Sequence, residues 1–515
     1  MGLFKRRAGY DAGILGRYFH PRAVSLLFLG FSAGLPYFLI FSTLSVWLRE
    51  AGVARSAVTF FSWAALGYSF KFFWAPLVDL LPLPLLTRLL GRRRSWLFFA
   101  QSAIICSLVF MASLDPSVLT SLNLMALGAV ALGFSAATQD IVIDAYRIEC
   151  AEERYQALLS AMYIAGYRIG LLVAGAGTLV LARYLGSSVD AYSYTAWRDT
   201  YLVMAGTMLC IILFSLRIDE PDTSETVRRH RWRLADYCRI LCLFVLAISA
   251  FILAFIGFGR LLAGLDSDVS SAGLLVAFLI ESFRFAFSLF VAIVAGYIAV
   301  LAGLVNRDMA RDAYVAPVLD FFQRYSIKTA VILLLLIAFY RLSDIVLGVV
   351  ANIFYLDTGF SKNAIAGISK TFGLGMTLFG GFVGGFLAVR FSVRWILCLG
   401  AVLAAGTNLL FMLLAHTGDN LLVLTLVIGA DNLAAGIATT AFVAFLSSLT
   451  SISYTATQYA MFSSLMTLFP KVAGGYAGTI VSAIGYQSFF LLTAALGVPV
   501  ALLAWLVARN PDVGR

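Results

Sequence analysis

Asp140 and Asp144 lie one helical turn apart, so on a helix they share a face, with Gln139 alongside and Arg147 on the next turn. Burial disfavours a charged carboxylate and a nearby cation favours it, so a carboxyl group that alternates between those surroundings can load and release a proton. Asp140 therefore reads as a coupling or substrate-contacting carboxylate, against the plainer role of structural partner to Arg168 or Lys71; Asp144 reads as a gate or cap. Arg341 and Asp344 stand three apart and can pair along one helix, an arrangement that suits membrane depth if that face is wet. Lys71, Arg168 and Lys370 add positive charge for a ligand with several carboxylates, arginine by bidentate contacts and lysine as a point charge. Asp431, Asn432 and Gln458 offer polar edges for sugar hydroxyls, although Asn and Gln are also ordinary interhelical glue. Tyr163, Tyr167 and Trp63 can stack on a sugar face or simply pack.

The elements that must position these residues are membrane helices. Hydrophobic residues make up 61% of the 515 and charged residues 12%, with a mean hydropathy of +0.92, which excludes a soluble domain. Apolar runs fall near 22–44, 57–78, 95–113, 119–143, 156–182 and 198–216, then 240–259 and 272–303, then 328–350, 364–388, 395–415, 421–449, 457–481 and 487–508. Each matches one bilayer crossing, and an open sheet could not satisfy its backbone in lipid. Ionisable groups at membrane depth are costly and face a bundle interior or a wet cavity. The spans with Lys71, Asp140, Asp144, Arg168, Arg341, Asp344, Lys370, Asp431 and Lys471 should therefore line a path, and the third span of each triplet, free of mid-span charge, should face lipid.

Basic residues sort by side. Lys5, Arg6, Arg7, Arg17 and Arg22 precede the first span, Arg88 and Arg92–Arg94 follow the second, Arg228, Arg229, Arg231 and Arg233 follow the sixth, and Arg307, Arg311, Arg324, Arg390, Arg394 and Arg509 share that side. Both termini are thus expected in the cytoplasm, and the net charge of +10 calls for no nucleic-acid partner. The N-terminus reads as a retained first helix. Six cysteines without metal spacing and three histidines in loops or at span ends, His20, His230 and His416, predict neither metal nor disulfide and leave proton handling to carboxylates.

The second half echoes the first: Gly128, Gly133 and Tyr155-Gln156 run parallel to Gly429, Gly436 and Thr457-Gln458. Parallel halves of three-helix repeats, with binding near the midplane, are the architecture of the major facilitator superfamily. The expected fold is an all-α polytopic membrane protein of that type, two six-helix bundles (1–217 and 327–515) plus a linker and inserted two-helix segment (218–326). Asp79 followed by Gly91 and Arg92-Arg93-Arg94 looks like the superfamily's Asp/Gly-Arg signature stretched by an insertion, so these four are expected to latch a gate; a positive-inside anchor is the plainer reading. Gly30/Gly34, Gly166/Gly170, Gly380/Gly384 and Gly381/Gly385 make small-xxx-small seams, and Pro36 and Pro470 interrupt helical stretches. In the insert, Glu281 and Arg284 can pair at i,i+3.

A narrower resemblance rests on Phe70-Lys71-Phe72-Phe73-Trp74-Ala75-Pro76-Leu77-Val78-Asp79, the run Ser135 to Ala145 with Gln139-Asp140 and Asp144, and Gly166-Tyr167-Arg168. Tyr340-Arg341-Leu342-Ser343-Asp344, Lys370-Thr371-Phe372-Gly373, Asp431-Asn432 and Ala456-Thr457-Gln458-Tyr459-Ala460 carry it through the second half. Together they resemble the AmpG-type muropeptide permeases. The resemblance implies proton-driven import of anhydromuropeptides across the inner membrane of a Gram-negative bacterium, by a carrier with no cofactor beyond the proton gradient and expected to act as a monomer. Departures are Asp431 for a more usual Glu, Arg341 for Lys, and a longer loop at 184–196. Eukaryotic acetyl-CoA transporters are similar around the Gln-Asp motif, so the alternative is a carrier of another bulky anion, such as acetyl-CoA or a siderophore. A transferase would need a catalytic His or acidic metal cluster, an ATP-driven pump a phosphate-cradling Gly-Lys loop, and a channel a repeated ring of charge; none is visible in the sequence.

Overall fold

The computed structural model describes residues 18–54, 61, 66–152, 155–188, 191–222, 232–263, 274–361 and 364–513. Trp63, Arg55, the basic residues before Tyr18, Arg228–Arg231 and the Glu281 side chain lie outside the described residues. Apart from one isolated bridge between Ser188 and Ala191, every regular element described is helical. The long helices are α1 (Pro21–Ile40), α2 (Arg92–Ala112), α3 (Leu119–Glu149), α4 (Gln156–Leu172) and α5 (Tyr194–Ser215). After them come α6 (Leu234–Ala263) and α7 (Leu274–Leu301) from the insert, then α8 (Ile327–Phe339), α9 (Leu342–Asp357), α10 (Gly373–Arg390), α11 (Val393–Thr417), α12 (Leu421–Leu449), α13 (Thr455–Gly475) and α14 (Ala477–Arg509). Twelve spans among the described residues are long and apolar enough to cross a membrane, the two of the insert included.

Breaks in the helices matter more than their lengths. The second span, expected as one run over 57–78, is described from Leu66 as a helix to Phe70, a tight turn Lys71–Phe73, and a helix Ala75–Leu80. Pro76 has no N–H, and its ring meets the carbonyl four residues back, so α-geometry cannot run through Phe72. The seventh span likewise divides into α8 and α9, with Tyr340 and Arg341 at the joint. The last span starts earlier than expected, at Ala477, and bends at Gly485, whose φ of 77° and ψ of 167° are not helical.

Two seams pull helices together. On α1 and α4 a β-carbon on Gly30 would collide with the Tyr163 carbonyl, and one on Gly166 with the Leu27 carbonyl. On α10 and α12 the same holds for Gly380 against Leu433 and for Gly436 against Thr377. Residue contacts divide the chain into two compact units. The first takes in both six-helix sets, and the second Asp79–Leu81 with the described residues between 228 and 321. Within the second, α6 packs on α7, and Arg284 donates to the Phe255 carbonyl at 2.8 Å while lying 3.8 Å from that ring's centre.

Within the first unit α4 packs on α10 and α12, and α13 packs on α3 and on the Lys71–Phe73 turn, so the two halves meet along these elements. Glu152, Arg390, Ser448 and Val513 line one cavity, and Arg22 donates to the Cys150 carbonyl. The first and last described residues therefore lie at the same end of the first unit, called the terminal end below.

Candidate functional site

The turn before Pro76 carries Lys71 into the interior, where its ammonium pairs with Asp140 and lies 3.4 Å from Asp144 on α3. Trp74 holds the turn there, its indole N–H donating to the Thr138 hydroxyl at 3.1 Å. Asp140 also accepts from the Tyr163 hydroxyl of α4 at 2.9 Å. Asp144 accepts from Arg147, at 3.3 Å. Arg147 is fully buried and reaches across the halves: one nitrogen donates to Ser160 of α4 at 3.0 Å and to Ser447 of α12 at 2.7 Å. Its guanidinium lies 6.0 Å from the Tyr163 ring centre and 5.1 Å from that of Tyr459 on α13. Two cations thus meet two carboxylates in one bonded group, which is how charge survives burial. Asp140 keeps 16% of its side chain exposed against 7% for Asp144, so it is the more reachable by water.

A second set of charges stands at the joint of the seventh span. Arg341 donates to Asp344 at 2.8 Å, with 26% and 30% of the two side chains exposed. The charges of both reach half-buried Arg168 of α4, so the pair lies on the side of the opposite half. Lys471 of α13 does the same from the other side, donating to the Ser69 hydroxyl at 3.0 Å. Asp431 accepts from Thr407 at 3.0 Å and feels the charge of Asp344.

The remaining expected residues take other positions. Pro36 leaves the Ser32 carbonyl without its helical donor, and Gln139 supplies one, its amide donating at 2.8 Å. Asn432 accepts from Thr377 at 2.8 Å and donates to the Ile428 carbonyl, inside the α10–α12 seam. Lys370 donates to Asn352 at 2.8 Å within its own half. Gln458 is buried toward the terminal end, where its oxygen accepts from the Ser451 N–H at 2.7 Å and from Arg324 at 3.0 Å. Gln156, its counterpart in the first half, donates to the carbonyls of Arg147, Ile148 and Ala151. The two glutamines staple corresponding turns, so the internal repeat read in the sequence marks a structural device.

At the start of α2, Arg92 and Arg93 both pair with Glu149, which the sequence reading did not include. The N–H groups of Arg93 and Arg94 donate to Glu220 at 2.7 and 3.0 Å, an acid on a helix N-terminus, and Arg94 reaches the Leu216 carbonyl. Asp79 belongs to the second compact unit. Sequence reasoning passed over Ser160 and Ser447 and quoted Tyr459 only as part of a family run, because nothing in a lone serine or tyrosine signals that an arginine from another helix will reach it.

Comparison with known proteins agrees with this geometry. The sequence profile of the Major Facilitator Superfamily matches residues 26–318 and 333–515. The putative transporter AmpG 4 of Rickettsia felis is 31% identical over 494 residues, 96% of this chain and 98% of that protein. The anhydromuropeptide permease of Escherichia coli K12 is 28% identical over 492 residues, 95% of this chain and 80% of that one. The major facilitator superfamily transporter FucP in its outward conformation superposes with a TM-score of 0.58 at 12% identity, over 95% of this chain and 99% of that one. The proton:xylose symporter XylE, bound to 6-bromo-6-deoxy-D-glucose, gives 0.57 at 12% over 94% of each. At such identities the likeness is one of fold. The chain is a transporter and not an enzyme: it belongs to the major facilitator superfamily and, within it, to the AmpG-type transporters.

Proposed function

We propose that this protein imports anhydromuropeptides, GlcNAc-1,6-anhydroMurNAc-peptides, across a bacterial inner membrane by proton-coupled alternating access, for cell-wall recycling. The name of the Escherichia coli relative supports the substrate class. The observation that carries the mechanism is Arg147, buried, bound to Asp144 on its own helix and to Ser447 on the opposite half. A proton arriving by way of Asp140 and neutralising Asp144 removes a counter-charge from Arg147. A buried cation without its counter-ion is costly, so the contact with Ser447 yields and the terminal end opens. Lys71, released from one carboxylate, stays with the other. Release of the proton at the terminal end restores the pair and recloses it. Arg92, Arg93 and Arg94 at the start of α2, the first two paired with Glu149, latch the gate at that end. Both termini are cytoplasmic, as the basic loops require, so the terminal end faces inward. One chain holds both halves, and it works as a monomer with no cofactor beyond the gradient.

The test is counterflow of labelled GlcNAc-anhydroMurNAc-tripeptide in liposomes, with and without an imposed pH gradient and with CoA esters as competitors. The expected result is saturable exchange, accelerated accumulation when the outside is acidic, and no competition by CoA esters. Competition by a CoA ester together with failure of the sugar ligand would assign the protein to another bulky anion.

A further inference from the structure

Charge balance separates the cations along the helices where the halves meet, Lys471 among them an exposed one, into two kinds. Lys71 and Arg147 are matched by Asp140 and Asp144 in one bonded group. Arg341 is matched by Asp344. Arg168 and Lys471 have no such partner. Arg168 makes no hydrogen bond or ion pair among the described residues, and it stands where the like charge of Arg341 acts on it more strongly than the opposite charge of Asp344. Lys471 has a neutral partner, the Ser69 hydroxyl. The two lie on opposite halves, Arg168 on α4 and Lys471 on α13.

Beside Ser69 stands an unsatisfied hydroxyl. Tyr68, the neighbour of Ser69, has a buried hydroxyl without a hydrogen-bond partner. Its ring packs on Tyr37, with centres 5.6 Å apart, and the Tyr167 hydroxyl next to Arg168 bears on it. A buried hydroxyl left unmatched costs stability unless something arrives to meet it. Lys370 also has only a neutral partner, but Asn352 is on its own half, so that contact links nothing across.

We propose that Arg168 and Lys471 are the carboxylate-binding groups of the ligand site, one on each half, taking two separate carboxylates of an extended ligand with the Tyr68 hydroxyl donating between them. The assignment deepens the muropeptide reading and rests on it for the ligand, whose peptide stem carries the carboxylates. It distinguishes these two from Lys71, whose charge is already spent on protein carboxylates. Arginine suits a bidentate carboxylate contact and lysine a point contact. A ligand that holds both is a strut between the halves, so its binding energy bears directly on whether they stay closed around it.

The experiment uses the full-length protein in liposomes and two ligands: the labelled anhydromuropeptide tripeptide, and the same molecule with its stem carboxylates converted to amides. Arg168→Gln and Lys471→Gln are each expected to weaken the carboxylate ligand by about tenfold or more, leaving the amidated ligand within about twofold of its wild-type value. Arg168→Lys should recover part of the loss, because charge remains while the bidentate contact does not. Equal losses for both ligands, or no loss for either, would overturn the assignment, provided thermal unfolding of each variant matches wild type. Should wild-type protein take neither sugar ligand but bind a CoA ester, the muropeptide reading fails alone. The same variants then test the cations on that polyanion, and undiminished CoA ester binding in Arg168→Gln and Lys471→Gln would overturn them separately.

Discussion

Lys71 serves two carboxylates at once, so its removal leaves Asp140 and Asp144 as like charges in a buried place. Breaking such an arrangement from one side costs about 3–5 kcal/mol. Lys71→Met should therefore lower the unfolding temperature in detergent, and adding Asp144→Asn should return part of it; a double variant no more stable than the single would refute the pairing account. Gln139 illustrates the other use of a polar side chain at depth. Gln139→Leu strands the Ser32 carbonyl and should cost about 1–3 kcal/mol in the same assay, independently of substrate. At the terminal end, burial pushes the Cys150 thiol up to about 12 despite the neighbouring Arg22 and Arg147. Only the thiolate reacts, so at neutral pH maleimide should spare Cys150 in the folded protein and modify it once the protein is denatured, as read by peptide mass.

The elements owe their placement to a few residues that forbid regularity or permit contact. Pro76 ends one helical stretch in the turn that carries Lys71 inward, and Pro36 opens a carbonyl that ties α1 to α3 through Gln139. The glycine seam does the reverse, letting two backbones touch. Gly166→Ala drives a methyl group into the Leu27 carbonyl, so α1 and α4 must part. A loss of about 1–3 kcal/mol follows from overpacking. Gly206→Ala on α5 meets nothing within 4 Å and should be neutral or slightly stabilising. Comparing the two unfolding temperatures tests the seam with its own control, and equal behaviour would remove it from the account.

At the scale of the whole transporter, the described cross-half hydrogen bonds from Tyr18 to the Phe382 carbonyl and from Arg147 to Ser447 hold the halves together toward the terminal end. A β-carbon built on Gly385 would lie 3.1 Å from that of Ala161, on the other half. A disulfide spans about 3.5–4.5 Å between β-carbons, so the pair is within reach once the two helices and the Tyr18 hydroxyl, 2.7 Å from the built carbon, ease back by a few tenths of an ångström. In a background without the native cysteines, Ala161→Cys with Gly385→Cys should cross-link under oxidation and stop counterflow, and reduction should restore it. Counterflow that continued through the cross-link would mean these helices do not separate during transport.

Much of this was legible in the chain. Bilayer thickness and hydropathy are properties along one dimension, so the order of the helices, the inserted pair and the charges along them could be read from spacing. The runs around Lys71, Gln139-Asp140, Arg341 and Asp431-Asn432 together named the family for the same reason. What the chain left open was the partner of each charge. Lys71 had Asp140, Asp144 and a ligand to choose from, and Arg168 could as well have paired with Asp140. A buried ion must find a counter-charge, but several arrangements satisfy that need equally, and helix packing selects one. The deciding contacts join residues far apart in sequence, Lys71 with Asp140, Arg147 with Ser447, Lys471 with Ser69. The Pro76 break and the close glycine seams bring these residues within reach, which is why folding alone decided which cations were paired with carboxylates and which were not.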